Sequence, residues 1–343
     1  MYLLELAGTD DAFAAYEAAS AASRVTVRGG GVAIARGITD RVSQLALTHR
    51  VNELLGTAAP DLASARALVE AASIDRSGSV AVRARDVRGA TGVSTQAVER
   101  ALGSILVERG FTVDLDDPNH ELRAVFAGPP STSEWDGDAI EIAPDAGEDG
   151  LCALGWLAVE PERDFTDRAP TDRPFFQPGS MDPALARALV NVAGARPGAR
   201  VLDPMCGTGG LLLEATRVGS AVVGVDALEK MVQGTRENLV AAGADEFLVC
   251  RGDARRLPFE ADTFDAVVVD APYGRQTKVS ADSLAVLLED ALGQARRVAP
   301  RAVVVGDRPW ADVAREAGWS VSAQFQRRVH RSLDRFIHVL DRG

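Results

Sequence analysis

A chain of 343 residues with 46% hydrophobic and 25% charged positions has room for two or three domains, and 49 acidic against 37 basic residues leave a net charge of −12. No apolar run approaches the ~20 residues of a membrane span, and the opening MYLLELAGTD lacks the basic stretch of a signal peptide, so a cytoplasmic protein is expected. Cys152, Cys206 and Cys250 are scattered without CxxC spacing, and His49, His120 and His330 form no cluster, so neither a disulfide framework nor a metal site is expected.

In chain order, Met1–Leu6 reads as a strand, Ala12–Ala22 as a helix and Arg24–Ile34 as a strand containing Gly29-Gly30-Gly31. Ser79–Arg85 alternates apolar Val80 and Val82 with Arg83 and Arg85, the period of a half-buried strand. Val98, Leu102, Ile105 and Leu106 recur at three- and four-residue intervals, which predicts a helix over Ser94–Arg109 capped by Ser94 and stopped at Gly110. His120–Phe126 reads as another strand. From Gly128 to Asp172, Pro129-Pro130 and the acidic Asp145–Asp149 break any periodicity. That region reads as a linker with a short hairpin around Ile140–Ile142 and Trp156–Val159.

Beyond Arg168 the signals alternate regularly. Asp182-Pro183 opens a helix that Gly194 closes. The strand Val201-Leu202, a Gly-rich turn and the helix Gly210–Val218 follow, then the strand Ala221–Val225 and the helix Leu228–Ala242. Further strands are expected at Glu246–Cys250, Ala266–Val269 and Ala302–Val305. This is an α/β pattern, a parallel sheet with helices on both faces. Val321–Val329 and Arg335–Leu340 can add antiparallel strands at the end.

The turns after these strands carry the chemistry. Asp203-Pro204-Met205-Cys206-Gly207-Thr208-Gly209-Gly210 follows the first strand, where glycines let the backbone approach a ligand at a helix N-terminus. A dinucleotide fingerprint would need a third glycine where Leu212 stands, and a carboxylate ahead of the loop repels pyrophosphate but can accept from an ammonium group. Asp226 follows the second strand, where such sheets bind a ribose diol; its other reading is a helix cap. Asp253 follows the third, where it could meet an adenine amine. Asp270-Ala271-Pro272-Tyr273-Gly274 follows the fourth. Asp270 and the Ala271 carbonyl offer acceptors to an exocyclic amine and Tyr273 a face to stack on; the other reading is a turn with an incidental Tyr.

Net charge argues against a nucleic-acid partner, since phosphate binding relies on Lys and Arg. Its distribution changes the argument. Lysine occurs only at Lys230 and Lys278, so nearly all positive charge is Arg, the bidentate phosphate ligand. An acid-rich, Lys-poor surface suits concentrated salt and suggests a halophilic source, which leaves local Arg clusters as the informative feature. Arg83, Arg85 and Arg88, and Arg327, Arg328 and Arg331, are the candidate phosphate contacts, with a solvated Arg-rich edge strand as the alternative for each.

The ordered set DPMCGTGG (203–210), GVDA (224–227), GDA (252–254) and DAPYG (270–274) resembles the class I S-adenosylmethionine-dependent methyltransferases that modify exocyclic amines of nucleobases. RPFFQPGSM (173–181) and HRSLDRFIHVL (330–340) resemble the archaeal tRNA guanosine N2-methyltransferases, and the overall similarity is to the tRNA (guanine-10) N2-dimethyltransferase family. The resemblance implies a Rossmann-like domain over residues 168–343 with a mostly parallel seven-stranded sheet. Ahead of it, it implies an α+β region: a ferredoxin-like segment (1–48), a THUMP RNA-binding domain (49–127) and a linker (128–167).

It further implies S-adenosyl-L-methionine held by Asp203, Gly207, Gly209, Asp226, Ala227, Asp253 and Ala254, and catalysis by Asp270, Ala271, Pro272 and Tyr273. The expected substrate is tRNA, the expected state a monomer, and the product one or two methyl groups on N2 of guanosine 10. The same chemistry on another tRNA or ribosomal guanosine is the nearest alternative, and a catalytically silent RNA-binding adaptor the one from another class. The family usually has Asp-Pro-Pro-Tyr, and Ala271 stands where the first Pro would be. A backbone carbonyl is what that position contributes, and Pro272 still biases Ala271 toward extended geometry.

Overall fold

The computed structural model describes residues 1–7, 10–130, 140–142, 149–272, 281–330 and 333–343, so Tyr273 and Arg331 lie outside the described residues. The chain divides into two compact units, Met1–Ser133 with Ile140–Glu162, and Glu134–Ala139 with Arg163–Gly343.

The first unit contains β1 (Tyr2–Leu6), α1 (Asp11–Ala19), β2 (Ala22–Ser23), β3 (Thr26–Gly29), β4 (Val32–Ala35), β5 (Gly37–Ile38) and β6 (Thr48–Ala58). It continues with α2 (Leu62–Ala71), β7 (Ser79–Asp86), α3 (Thr95–Glu108), β8 (Thr112–Val113), β9 (His120–Ala127), β10 (Glu141–Ile142) and β11 (Leu151–Val159). One sheet runs in the order β10-β3-β4-β1-β6-β11-β9-β7-β8. The spacing that predicted α3 is the stripe it buries, with Val98, Leu102 and Leu106 packed on Val80, Leu122, Leu154 and Trp156, and the Ser94 hydroxyl accepts from the Ala97 N–H as its cap.

Three features of this sheet bear on the sequence reading. The stretch Arg24–Ile34 forms two antiparallel strands rather than one. One sheet continues across the expected boundary at residue 48, because β1 pairs with both β4 and β6. Two described stretches of the expected linker 128–167 are sheet strands. β11 lies between β6 and β9 with its first six residues buried, and β10 pairs in parallel with β3 instead of forming a hairpin with residues 156–159. A strand covered on both faces is apolar throughout, so LCALGWLAV shows no alternation to read.

The second unit contains α4 (Pro183–Ala193), β12 (Arg200–Asp203), α5 (Gly210–Arg217), β13 (Ala221–Asp226), α6 (Glu229–Ala241) and β14 (Phe247–Arg251). It ends with β15 (Ala266–Asp270), α7 (Ala281–Val298), β16 (Arg301–Gly306), α8 (Ala311–Glu316), β17 (Ser320–His330) and β18 (Leu333–Asp341). The sheet order is β14-β13-β12-β15-β16-β18-β17, parallel except for β18, which is antiparallel to both neighbours. The mostly parallel seven-stranded sheet is as expected, while α7 and α8 had no counterpart in the sequence reading.

The order reverses between β12 and β15, and in open α/β sheets ligands bind beyond the carboxyl ends of the strands at such a point. Val267, Val269, Val304 and Leu340 from the sheet pack with Leu284, Leu288 and Leu292 of α7, which fixes where β15 ends.

Candidate functional site

At the carboxyl ends of β12 to β15 a cleft of about 390 Å³ opens. Asp203, Asp226, Asp253 and Asp270, each from the end of or just beyond a different strand, line it together with Gly207, Ala227, Ala254, Ala271 and Pro272. Nine of the eleven residues expected at the cofactor and the base therefore share one cavity. Tyr273 falls outside the described residues and Gly209 does not line the cleft.

Asp203 is only 2% exposed and accepts from the Met205 N–H at 3.0 Å. Burial, then the nearby charges of Asp270 and Asp226, hold its carboxyl well above the usual carboxylate range, against the pull of the Met205 N–H. A buried acid facing other acids is arranged to receive a cation.

Asp226 accepts from the Gly207 N–H at 3.0 Å through Oδ2 and from the Leu228 N–H at 2.9 Å through Oδ1. It thus joins the end of β13 to the glycine loop, and Leu228, not Asp226, occupies the cap position of α6. Asp253 pairs with Arg255 at 2.8 Å, and that guanidinium holds its pKa down to about 2. Its carboxylate is therefore an acceptor at any physiological pH.

The two loop glycines do different jobs. Both have positive φ, 52° at Gly207 and 77° at Gly209. A Cβ on Gly207 would meet nothing within 4 Å, so its backbone faces open space in the cleft. A Cβ on Gly209 would lie 2.8 Å from Cγ2 of Thr235. Gly209 is thus required by packing on α6. Burial pushes the neighbouring Cys206 thiol up, so it is a packing group.

Asp270 is half-buried at the end of β15, and the Ala271 N–H donates to the Val305 carbonyl at 2.8 Å. Sheet pairing is thereby carried one residue past Asp270. That bond orders Ala271, which is 1% exposed, without a proline ring.

The sequence reading missed part of the wall. Gln177, Pro178, Gly179, Ser180 and Met181 line the cleft, as do Met231 and Leu287. The RPFFQPGSM segment was visible as a motif, but its aromatics drew attention away from its second half. Phe175 packs on α6, where its ring lies against Gly234, and Phe176 is 39% exposed.

The arginine clusters behave unevenly. In the first unit, Arg83 pairs with Glu121 at 3.8 Å, Arg85 with Glu5 at 3.6 Å and Arg88 with Asp11 at 2.6 Å. In the second, Arg328 pairs with Asp334, while Arg327 makes no ion pair among the described residues and faces Arg335 across the β17–β18 ladder. Arg331 lies outside the described residues.

Residues 170–336 match the family described as the RMKL-like methyltransferase domain, UPF0020. The chain is 35% identical over 305 residues to the tRNA (guanine(10)-N2)-dimethyltransferase of Methanothermobacter thermautotrophicus, covering 87% of this chain and 84% of that protein. The chain belongs to the tRNA (guanine(10)-N2)-dimethyltransferase family. A second member, from Pyrococcus abyssi, is 32% identical over 249 residues, with 71% of this chain and 68% of that protein covered. The crystal structure of TrmN from Thermus thermophilus superposes with a TM-score of 0.52 at 26% identity, covering 100% of this chain and 99% of that one. The fold of the family's catalytic half is that of class I methyltransferases, and the four aspartates stand at its ligand-binding edge.

Proposed function

We propose that this chain transfers methyl groups from S-adenosylmethionine to the exocyclic N2 of a guanosine in tRNA, guanosine 10, with mono- and dimethylated products. The carrying observation is the convergence of Asp203, Asp226, Asp253 and Asp270 on one cleft. The donor set fits a cofactor with an ammonium group, a ribose diol and an adenine amine. Asp203 takes the first, Asp226 with Ala227 the second, Asp253 with Ala254 the third, and Gly207 leaves room for approach.

When bound, that cofactor supplies an electrophilic methyl group. The protein's part is to prepare the nucleophile. A guanine amine has its lone pair delocalised into the ring. Asp270 and the Ala271 carbonyl accept from its two N–H groups and favour a pyramidal nitrogen with an available lone pair. Positioning then supplies much of the rate, and Asp270 accepts the proton the amine loses. A duplex-embedded guanine must be flipped out to reach the cleft, and Tyr273 is assigned as its stacking partner on the sequence pattern.

The first unit is read as the RNA-gripping THUMP part and the chain as a cytoplasmic, halophilic monomer. Arg327 stands as the phosphate contact that the geometry favours. Arg83, Arg85 and Arg88 spend their charge within their own unit.

The test is methyl transfer to unmodified tRNA transcripts, followed by nucleoside analysis. N2-methylated guanosine that disappears when guanosine 10 is replaced supports the reading. Product mapped to position 6 would redirect it, because a tRNA (guanine(6)-N2)-methyltransferase of Thermus thermophilus is 40% identical over 99 residues, covering 28% of this chain and 30% of that protein. No transfer to any tRNA would sink it.

A further inference from the structure

Two chain segments wall the cofactor end of the cleft, residues 177–181 and the glycine loop 205–210. They are distant in sequence, and one side chain joins them. Asn238 of α6 is 2% exposed. Its carboxamide oxygen accepts from the Phe175 N–H at 2.9 Å, and its nitrogen donates to the Phe175 carbonyl at 2.8 Å and the Thr208 carbonyl at 2.9 Å. The orientation of the amide is forced, since the atom facing two carbonyls must be the donor. One helical turn earlier, the Thr235 hydroxyl donates to the Gly207 carbonyl at 2.7 Å. A Ser180–Thr208 hydroxyl pair at 3.1 Å closes the arrangement near the cleft.

We infer that Asn238 is a positioning residue that makes the 175–181 segment and the glycine loop one cofactor-holding unit, and so sets affinity for the methyl donor. The inference rests on the reading of this cleft as an S-adenosylmethionine site. The physical argument is substitution logic. No other side chain of this size offers one acceptor and two donors. An aspartate keeps the Phe175 N–H bond but sets a carboxylate oxygen against two carbonyls. An alanine removes the partner of three part-buried backbone groups, the Phe175 N–H and carbonyl and the Thr208 carbonyl. Loop and segment would then separate, while Asp270 and Ala271, held by β15 and β16, keep their places.

The experiment uses the full-length chain and measures S-adenosylmethionine binding by calorimetry with Asn238→Asp, Asn238→Ala and Ser220→Ala. Ser220 is the control. It is 5% exposed, and its hydroxyl bonds both the N–H and the carbonyl of Arg196, away from the cleft. Both Asn238 variants should raise Kd about tenfold or more, raise KM for the donor, and leave KM for tRNA and kcat at saturating donor near wild type. Ser220→Ala should lower the melting temperature without moving Kd.

Wild-type affinity in an Asn238 variant overturns the inference, as does an equal loss in Ser220→Ala, which would mean general destabilisation. If the Asn238 variants do not fold, Thr235→Val tests the same loop through Gly207. It must weaken donor binding, and unaltered binding there also overturns the inference. A wild-type chain that binds no S-adenosylmethionine is the separate result that would remove the reading beneath it.

Discussion

Two buried carboxylates, one in each unit, have opposite surroundings. Glu5 on β1 is 1% exposed and accepts from Arg123 at 2.9 and 3.0 Å and from Asn52 at 3.3 Å, with Arg85 at 3.6 Å. Asp203 at the end of β12 has one backbone N–H from Met205 and two acids, Asp226 and Asp270, as its charged neighbours. Burying a charge is costly unless it is paired. Glu5 is compensated within its own sheet and holds strands together. Among the described residues Asp203 has no cationic partner of that kind at its cleft, which is the arrangement the proposed ammonium contact would answer. Glu214 of the second unit, 1% exposed and paired with Arg168 and Arg187, is built like Glu5, so the contrast belongs to the cleft and not to the unit.

The largest effect expected from this contrast is on chemistry. Asp270→Ala should lower kcat by about 10²–10⁴-fold while calorimetry still detects the methyl donor; unchanged turnover would remove Asp270 from the mechanism. Next comes Arg123→Ala, which strands the Glu5 charge in the core. It should cost about 3–5 kcal/mol in urea unfolding and leave donor affinity alone. If stability hardly moves, Glu5 is not the structural partner described above.

Asp203→Asn should do the reverse, stabilising the ligand-free protein by about 1 kcal/mol while abolishing donor binding. The sign follows from its raised pKa. A carboxyl that holds its proton more tightly when folded contributes most at acid pH, and that contribution declines as pH rises past the unfolded value of 3.8. A neutral amide removes the loss. A variant that melts lower than wild type at neutral pH breaks the comparison.

The smallest effect involves His338 on β18, fully buried and accepting the Trp310 N–H at 3.1 Å. Burial lowers its pKa from 6.5 to about 4. Its contribution is complete above 6.5 and is lost as pH falls toward 4. His338→Gln should flatten that part of the stability profile, and an unchanged slope would assign the acid sensitivity elsewhere.

What could be read from the residues depended on how local the physics is. The β12–loop–α5 unit was legible because a strand, two glycines and a helix start sit within a dozen residues. The α4 cap was equally plain: Asp182 accepts from the Leu185 N–H and Gly194 closes the helix at φ 96°. β11 was not legible, since both its partners, β6 and β9, lie earlier in the chain and its apolar run has no period. The ion pairs of Arg83, Arg85 and Arg88 were not legible because their acid partners, Glu121, Glu5 and Asp11, are 38 to 80 residues away in sequence. Helix α7 was overlooked although Leu284, Leu288 and Leu292 recur every four residues. In the cleft, the four acids stood out in the sequence because each ends or closely follows a strand. The Asn238 amide escaped because a mid-helix polar residue has no local signature.

The ring of Phe175 bears on the history open to this family. A Cβ built at Gly234 would lie 2.0 Å from that ring, well inside the distance that non-bonded carbons keep, so no single substitution at 234 is accommodated while Phe175 stays in place. Change must come in pairs, a smaller residue at 175 with a side chain at 234. Lineages that took such a step would show the two positions covarying. A library randomised at both should recover large-with-glycine and small-with-alanine combinations and little else.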